Sequence, residues 1–255
     1  MCKQLRIWFF VLLGTLLTSS TLLAEGLITM TTSRTVGGII SLRIDANGDI
    51  TIEGVKETLQ TEDRVVYYTL TSQTITIRGD VTELDCSDNQ LTSLDVSKNT
   101  FLTDLDCFNN QLTSLDLSQN TALTTLYCFD NQLTSLNVSR NRALTTLSCG
   151  GNQLTSLDVS KNTALEGLYC SENQLTSLNI SGCARLEDLF CFSNCINGKA
   201  MTKLVNGLPD RKGMSSGSLW VVDRSSKKSD KNRCSAADVT TAKKKNWEVE
   251  KIRAF

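Results

Sequence analysis

Cysteine returns every 21 residues six times over, at Cys86, Cys107, Cys128, Cys149, Cys170 and Cys191, and asparagine follows three residues behind each, at Asn89, Asn110, Asn131, Asn152, Asn173 and Asn194. The text between the columns is nearly constant: NQLTSLDVSKNTF, NQLTSLDLSQNTA, NQLTSLNVSRNRA, NQLTSLDVSKNTA and NQLTSLNISGCAR. Each unit therefore reads LxxLxCxxNQLTSLxVSxNxx. A strict period in the twenties constrains folding severely, because every unit must take its neighbour's conformation and none can bury its apolar face alone.

Within one unit the LxLxC alternation turns Leu126 and Cys128 to one face and Tyr127 and Phe129 to the other, as a short strand requires. Stacked units then form a parallel sheet whose inner side is packed by Leu133, Leu136 and Val138 from the returning segment. This Leu and Asn spacing is that of a leucine-rich repeat. The predicted fold is a leucine-rich-repeat solenoid of about six 21-residue repeats, with an N-terminal β-rich cap and a C-terminal α/β cap. The Asn column falls at the turn leaving the strand, where its amides can bond backbone groups from unit to unit. A second column, Asn99, Asn120, Asn141 and Asn162, repeats this on the far side until Cys183 replaces it. Lys199 then stands where Leu178 stood one period earlier, so the regular array ends near residue 200.

The cysteine column reads as a line of buried small hydrophobes. Adjacent strands are about 4.8 Å apart, but side chains in register on parallel strands project alike and hold their Cβ atoms too far apart to bridge. A metal site needs converging ligands, and the chain has no histidine to complete one. No metal or cofactor is expected. Cys183, Cys195 and Cys234 lie off the column, where a single bridge is a further reading.

Residues 1–24 carry Lys3 and Arg6, then the apolar run Ile7 to Leu13, and close on Leu22, Leu23 and Ala24, the pattern of a secretory signal peptide. Thr15, Thr18, Ser19, Ser20 and Thr21 interrupt the run short of the ~20 residues that span a bilayer. Residues 25–80 alternate in short β-prone runs, Ile28–Thr32, Ile39–Ile44, Ile50–Ile52, Val65–Leu70 and Thr74–Ile77, with a turn signal at Asn47–Gly48. The last run, TITIRGDVTELDC, reads as one strand entering the repeats. Residues 81–200 are the array. In residues 201–255, Met201, Leu204, Val205 and Leu208 share a helical face, Leu219 to Val222 form a strand, Ser235 with Asp238 makes a capping box, and Trp247 to Ile252 form a closing strand.

The NQLTSLDVS consensus with Cys in the strand, the front text ITMTTSRTVGG…YTLTSQTITIRGDVTEL and the tail LVNGLPDRKG…LWVVD…CSAADVTTAKKKNW resemble the exported leucine-rich-repeat proteins of Bacteroidota-type bacteria, described as internalin-like. The resemblance covers nearly all of residues 26–255. It implies a solenoid secreted or exposed at the cell surface, acting in adhesion or host contact, and it implies no reaction.

Composition narrows function further. The formal net charge is −1 and the basic stretches after residue 226 are short and interleaved with acids, which excludes a nucleic-acid partner. Gly213 to Gly217 spells GxSxG, but a nucleophile elbow needs a histidine base. Catalytic residues are therefore not expected. Candidate binding residues come from the outward strand positions, since solenoids bind on their strand face: Phe108, Tyr127 and Phe129 form one aromatic group, Tyr169, Phe190 and Phe192 a second, with Ser148, Gly150 and Gly151 a flat saddle between. Asp85 and Asp106, flanked by Glu83, Asp88, Asp104 and Asp130, make the first half acidic and suited to a basic partner. The first reading is a protein-binding surface component. A glycan-binding module and a self-associating structural component are the alternatives.

Overall fold

The computed structural model describes residues 26–60, 64–223 and 230–252. The expected signal segment lies outside them. Each repeat sends one short strand into a long sheet: β7 (Val81–Asp85), β9 (Asp104–Asp106), β10 (Thr125–Tyr127), β11 (Thr146–Ser148), β13 (Gly167–Tyr169) and β15 (Asp188–Phe190) run parallel. Their register is unbroken, with Leu84, Leu105, Leu126, Leu147, Leu168 and Leu189 paired in turn. That is the register a 21-residue period dictates, since any slip would swing the Leu and Cys positions out of the core. Those Leu side chains and all six column cysteines are at most 2 % exposed.

Ladder bonding runs one residue beyond each short strand, with Cys107 N–H donating to Tyr127 O and Cys128 N–H to Ser148 O, both at 2.8 Å. The return segments are mostly irregular. Only β8 (Leu91–Asp95) in the first repeat, and the short β12 (Leu157–Asp158) and β14 (Leu178–Asn179), which pair with each other, are strands there.

The N-terminal residues form β1 (Leu27–Thr32), β2 (Ile39–Ala46), β3 (Thr51–Glu53), β4 (Val55–Gln60), β5 (Val66–Leu70) and β6 (Thr74–Arg78). They extend both layers of the solenoid. β4, β5 and β2 add antiparallel strands to the edge of β7, while β3, β6 and β1 make a second sheet that pairs with β8. One sequence expectation changes here. TITIRGDVTELDC is not one strand: Gly79, at φ 123°, breaks it, sending β6 to the second sheet and β7 to the first. A side chain at Gly79 would crowd the Asp49 carbonyl, so the alternating text on either side cannot run through it. At Asn47–Gly48 the chain bends as the turn signal expects, passing from one sheet to the other, because β2 pairs with β5 and β7 while β3 pairs with β6.

At the other end the sheet does not stop with the regular period. β16 (Gly217–Asp223) pairs parallel with β15, setting Leu219 beside Leu189 and Trp220 beside Phe190, and β17 (Trp247–Ile252) pairs parallel with β16. The two return segments carry helices, α1 (Gly198–Gly207) and α2 (Ala236–Lys244). Met201, Leu204 and Val205 bury one face of α1, and Ser235 and Asp238 close the capping box of α2. Arg211, 3 % exposed, ties the end together by donating to Leu186 O at 3.2 Å and Glu187 Oε1 at 3.1 Å. The GxSxG residues form the loop leading into β16, the reverse of the strand-to-helix order an elbow requires.

Candidate functional site

Ladders between repeats hold the strand face rigid. In the first, each Asn amide donates both to its own cysteine carbonyl and to that of the preceding repeat, as Asn131 Nδ2 does to Cys128 O (3.2 Å) and Cys107 O (2.9 Å), while its Oδ1 accepts from a buried N–H, here Leu112 N at 3.0 Å. The series begins at β2, where Asn89 exchanges two bonds with the Ser41 backbone. It ends on a residue outside the sequence column. Asn232 accepts from Ile196 N at 2.7 Å and donates to Cys191 O (2.7 Å) and Val221 O (2.8 Å), the bonds that a further rung would make.

In the second column Asn120, Asn141 and Asn162 donate to the Asn and Val or Leu carbonyls of the repeat before, and the Cys183 thiol stands in by donating to Val159 O at 3.4 Å. A third series had no counterpart in the sequence reading: Thr103, Thr124 and Thr145 each donate a hydroxyl to the threonine carbonyl one repeat back. The residue before each first-column Asn is left-handed, with φ between 51° and 60° at Asp88, Asn109, Asp130, Gly151, Glu172 and Ser193. At the five non-glycine positions this costs about 1 kcal/mol each, offset by the bonds the turn lets its Asn make.

No disulfide links any of the nine described cysteines, Cys183, Cys195 and Cys234 included. Burial pushes the Cys149 thiol up to about 12, and raises Cys107, Cys128 and Cys170 well above the ordinary range. Such thiols are poor nucleophiles and poor metal ligands. Among the described residues no group of His, Cys, Asp or Glu is placed to hold a metal ion.

The outward side chains form columns. One runs Arg43, Asp85, Asp106, Tyr127, Ser148, Tyr169, Phe190, Trp220 and Glu250 across nine strands. A parallel one carries Phe108, Phe129, Gly150, Ser171 and Phe192. Every aromatic among them is half-buried, with an exposed part on the strand face. Phe108 and Phe129 stack at 4.5 Å and 7°, whereas Tyr127 stands in the neighbouring column. Tyr169 meets Phe190 edge-on at 5.0 Å, and Phe190 stacks on Trp220 at 4.9 Å. Tyr169 folds back over Gly167, where a Cβ would press on its ring, and donates to Asp188 Oδ2 at 3.4 Å. Trp220 was missing from the sequence candidates. Its signal was the in-out alternation of LWVV, hidden by its 30-residue offset from Phe190.

The acidic end is a cleft of about 170 Å³ lined by Arg43, Glu83, Asp85, Asp104, Asp106 and Tyr127. Arg43 reaches Asp85 Oδ2 at 3.8 Å. Burial, then the neighbouring Asp85 charge, raises Asp106 to about 6, and its Oδ1 is buried without a hydrogen-bond partner. Glu83 is raised by burial and by Asp45 and Asp104.

Among solved structures the chain is similar to the functional domain of InlJ from Listeria monocytogenes, described as including a cysteine ladder, at 31% identity over 73% of this chain and 38% of that one, with a TM-score of 0.54. It is also similar in fold to an internalin, InlF, from Listeria monocytogenes str. 4b F2365, at 20% identity over 63% of this chain and 45% of that one, with a TM-score of 0.51. The chain thus spans less than half the length of either. No family model and no curated protein sequence matches it. The fold is a leucine-rich-repeat solenoid of the kind these internalins have.

Proposed function

We propose that this chain is a non-enzymatic protein-interaction module that binds through its strand face, in an exported protein acting in adhesion or host contact. The observation that carries the reading is the row of half-exposed aromatic rings on a sheet locked by ladders. Solvation does not call for large rings there, and aromatics with a polar rim are the residues that dominate recognition surfaces. A rigid, pre-formed face also loses little entropy on binding. Localisation at a surface or in the medium rests on the internalin likeness and the N-terminal text. Among the described residues no helix is long and apolar enough to cross a membrane.

Changing Phe108, Tyr127 and Phe129 together to Ser tests the reading. Far-UV dichroism and melting temperature are expected to hold while capture of partners from host extracellular matrix is lost. Capture equal to the parent's sinks it, and unfolding would show instead that the rings serve only to stiffen the sheet by cross-strand stacking. A second reading, glycan binding, draws on a polar cleft of about 390 Å³ whose lining includes Gln153, Gln174, Glu172 and Lys231. Amides and a carboxylate suit sugar hydroxyls, and a glycan array separates the two.

A further inference from the structure

The six strand segments, 81–89 and its equivalents through 186–194, hold ten carboxylates and no lysine or arginine, whereas the return segments between them hold five lysines and arginines against three aspartates. The whole chain is balanced at −1. Charge is therefore sorted by layer, not by overall composition. The opposite layer is left net positive by its excess of lysine and arginine over Asp95, Asp116 and Asp158, each of which accepts a serine N–H two residues on. On the strand layer the carboxylates are interleaved with rings: Asp104 and Asp106 beside Tyr127 at one end, Asp188 and Glu250 beside Phe190 and Trp220 at the other.

Resting on the interaction reading above, we infer that the occupant of this face is an arginine-rich segment of a partner protein, its guanidinium groups lying on the rings and pairing with the flanking carboxylates. Three features favour arginine. The guanidinium is planar and weakly hydrated, so it stacks on aromatic faces more readily than a lysine ammonium. Its fork pairs with a carboxylate through two parallel bonds. The chain also carries an internal example, because Arg43, the one cation in the long column, occupies the rim of the acidic cleft 3.8 Å from Asp85 and within the same lining as Tyr127. Geometry fits a segment running across the strands. Tyr127 and Phe190 are three strands apart in one column, about 14 Å, which an extended chain covers in about four residues, so arginines on one side of such a segment reach both ends. The small residues Thr146, Ser148 and Gly150 leave the path between them low.

The experiment uses a short peptide of alternating arginine and serine, with lysine and glutamate counterparts, titrated into the full chain at low ionic strength while Trp220 fluorescence is followed. Trp8 is replaced by Phe; of the remaining two tryptophans Trp247 is 2 % exposed and Trp220 half-buried on the face, so the change reports from the site. The arginine peptide is expected to bind about five-fold tighter than the lysine peptide, the glutamate peptide not at all, and added salt to weaken both cationic peptides. Ser148→Arg sets a guanidinium from the protein itself between Tyr127 and Tyr169 and is expected to abolish peptide binding with the dichroism unchanged; should it fail to fold, Tyr127→Leu with Phe190→Leu, which keeps the Trp220 reporter, is expected to remove the preference for arginine over lysine. Equal binding of arginine and lysine peptides, or of the glutamate peptide, overturns the inference. If no peptide binds while the Phe108, Tyr127 and Phe129 triple variant still loses partner capture, this inference falls and the broader reading stands; if capture survives too, both fall.

Discussion

Asn131→Ala isolates what one rung of the first ladder contributes. The Asn131 amide donates to Cys107 O, Cys128 O and Phe129 O, yet Cys107 O also accepts from Asn110 and Cys128 O also accepts from Asn152, both at 3.0 Å. Those carbonyls keep a partner when the side chain goes. The N–H of Leu112, a residue buried at 0 % exposure, does not, since Asn131 Oδ1 is what it donates to. One buried orphan donor costs about 1–3 kcal/mol, and the weakened carbonyls add a fraction of that, giving ~3 kcal/mol in all. The control is Asn137→Ala, an exposed asparagine whose Oδ1 accepts only from Ser139 N, expected within about 0.5 kcal/mol of the parent. Urea unfolding followed by fluorescence and by far-UV dichroism gives the comparison, provided the two midpoints agree, as two-state unfolding requires. Asn131→Asp adds a signature. It keeps the acceptor but points a carboxylate oxygen at three carbonyls, so its folded pKa rises above the unfolded value of about 3.9, and its penalty grows as pH climbs through that value. If Asn131→Ala unfolds at the same urea concentration as Asn137→Ala, the rung contributes nothing and the reasoning is wrong.

Two further outcomes follow from burial and charge. Brief alkylation of the native protein should modify Cys195 and Cys234, which are partly exposed, and spare the six column cysteines, whose thiols are buried at 0 % exposure and held protonated by desolvation; mass spectrometry of the labelled peptides reads this directly, and rapid labelling of Cys128 would contradict it. Asp106 has a folded pKa raised from 3.8 to about 6 by burial and by Asp85 and Asp88, against the opposing pull of the Phe108 N–H and Arg43. The native state therefore binds this proton more tightly than the unfolded chain does, and stability falls as pH rises from about 4 to about 6. Asp106→Asn should melt higher than the parent above pH 6, by about 1 kcal/mol after discounting for its partial exposure, with no difference below about pH 4; a variant less stable at neutral pH would refute this.

The period of the text carried the register of the sheet because a repeat has one way to stack, and the in-out alternation of LxLxC carried which face each ring takes. What lay beyond the reading was whatever breaks the period. Asn232 follows Asn194 by 38 residues, and only the path of the chain through α1 and β16 brings it over Cys191 and Val221. Trp220 escaped for the same reason. The Thr103, Thr124 and Thr145 hydroxyls were invisible for another: threonine in a strand is so common for its β-branched shape that its spacing draws no notice. Gly79 was legible only as a glycine among alternating residues, and its positive φ, which decides that two sheets diverge there, is a property of the path and not of the letter. The left-handed column before each Asn spells Asp, Asn, Asp, Gly, Glu and Ser, residues too varied to announce a shared backbone.

The pairing rule of the ladders has a consequence for how such a surface can change size. Every rung reaches one turn back and no further, so the middle of the array is commensurate with itself: removing or duplicating 21 residues anywhere between Asn89 and Asn194 rejoins each amide to an equivalent carbonyl and each strand to an equivalent neighbour. An insertion of any other length in the strand or its turn would put three series of side-chain bonds and the Leu and Cys columns out of step at once. The face therefore grows or shrinks in quanta of about 4.8 Å, carrying its end structures along unaltered, while the letters at its outward positions stay free to vary one at a time.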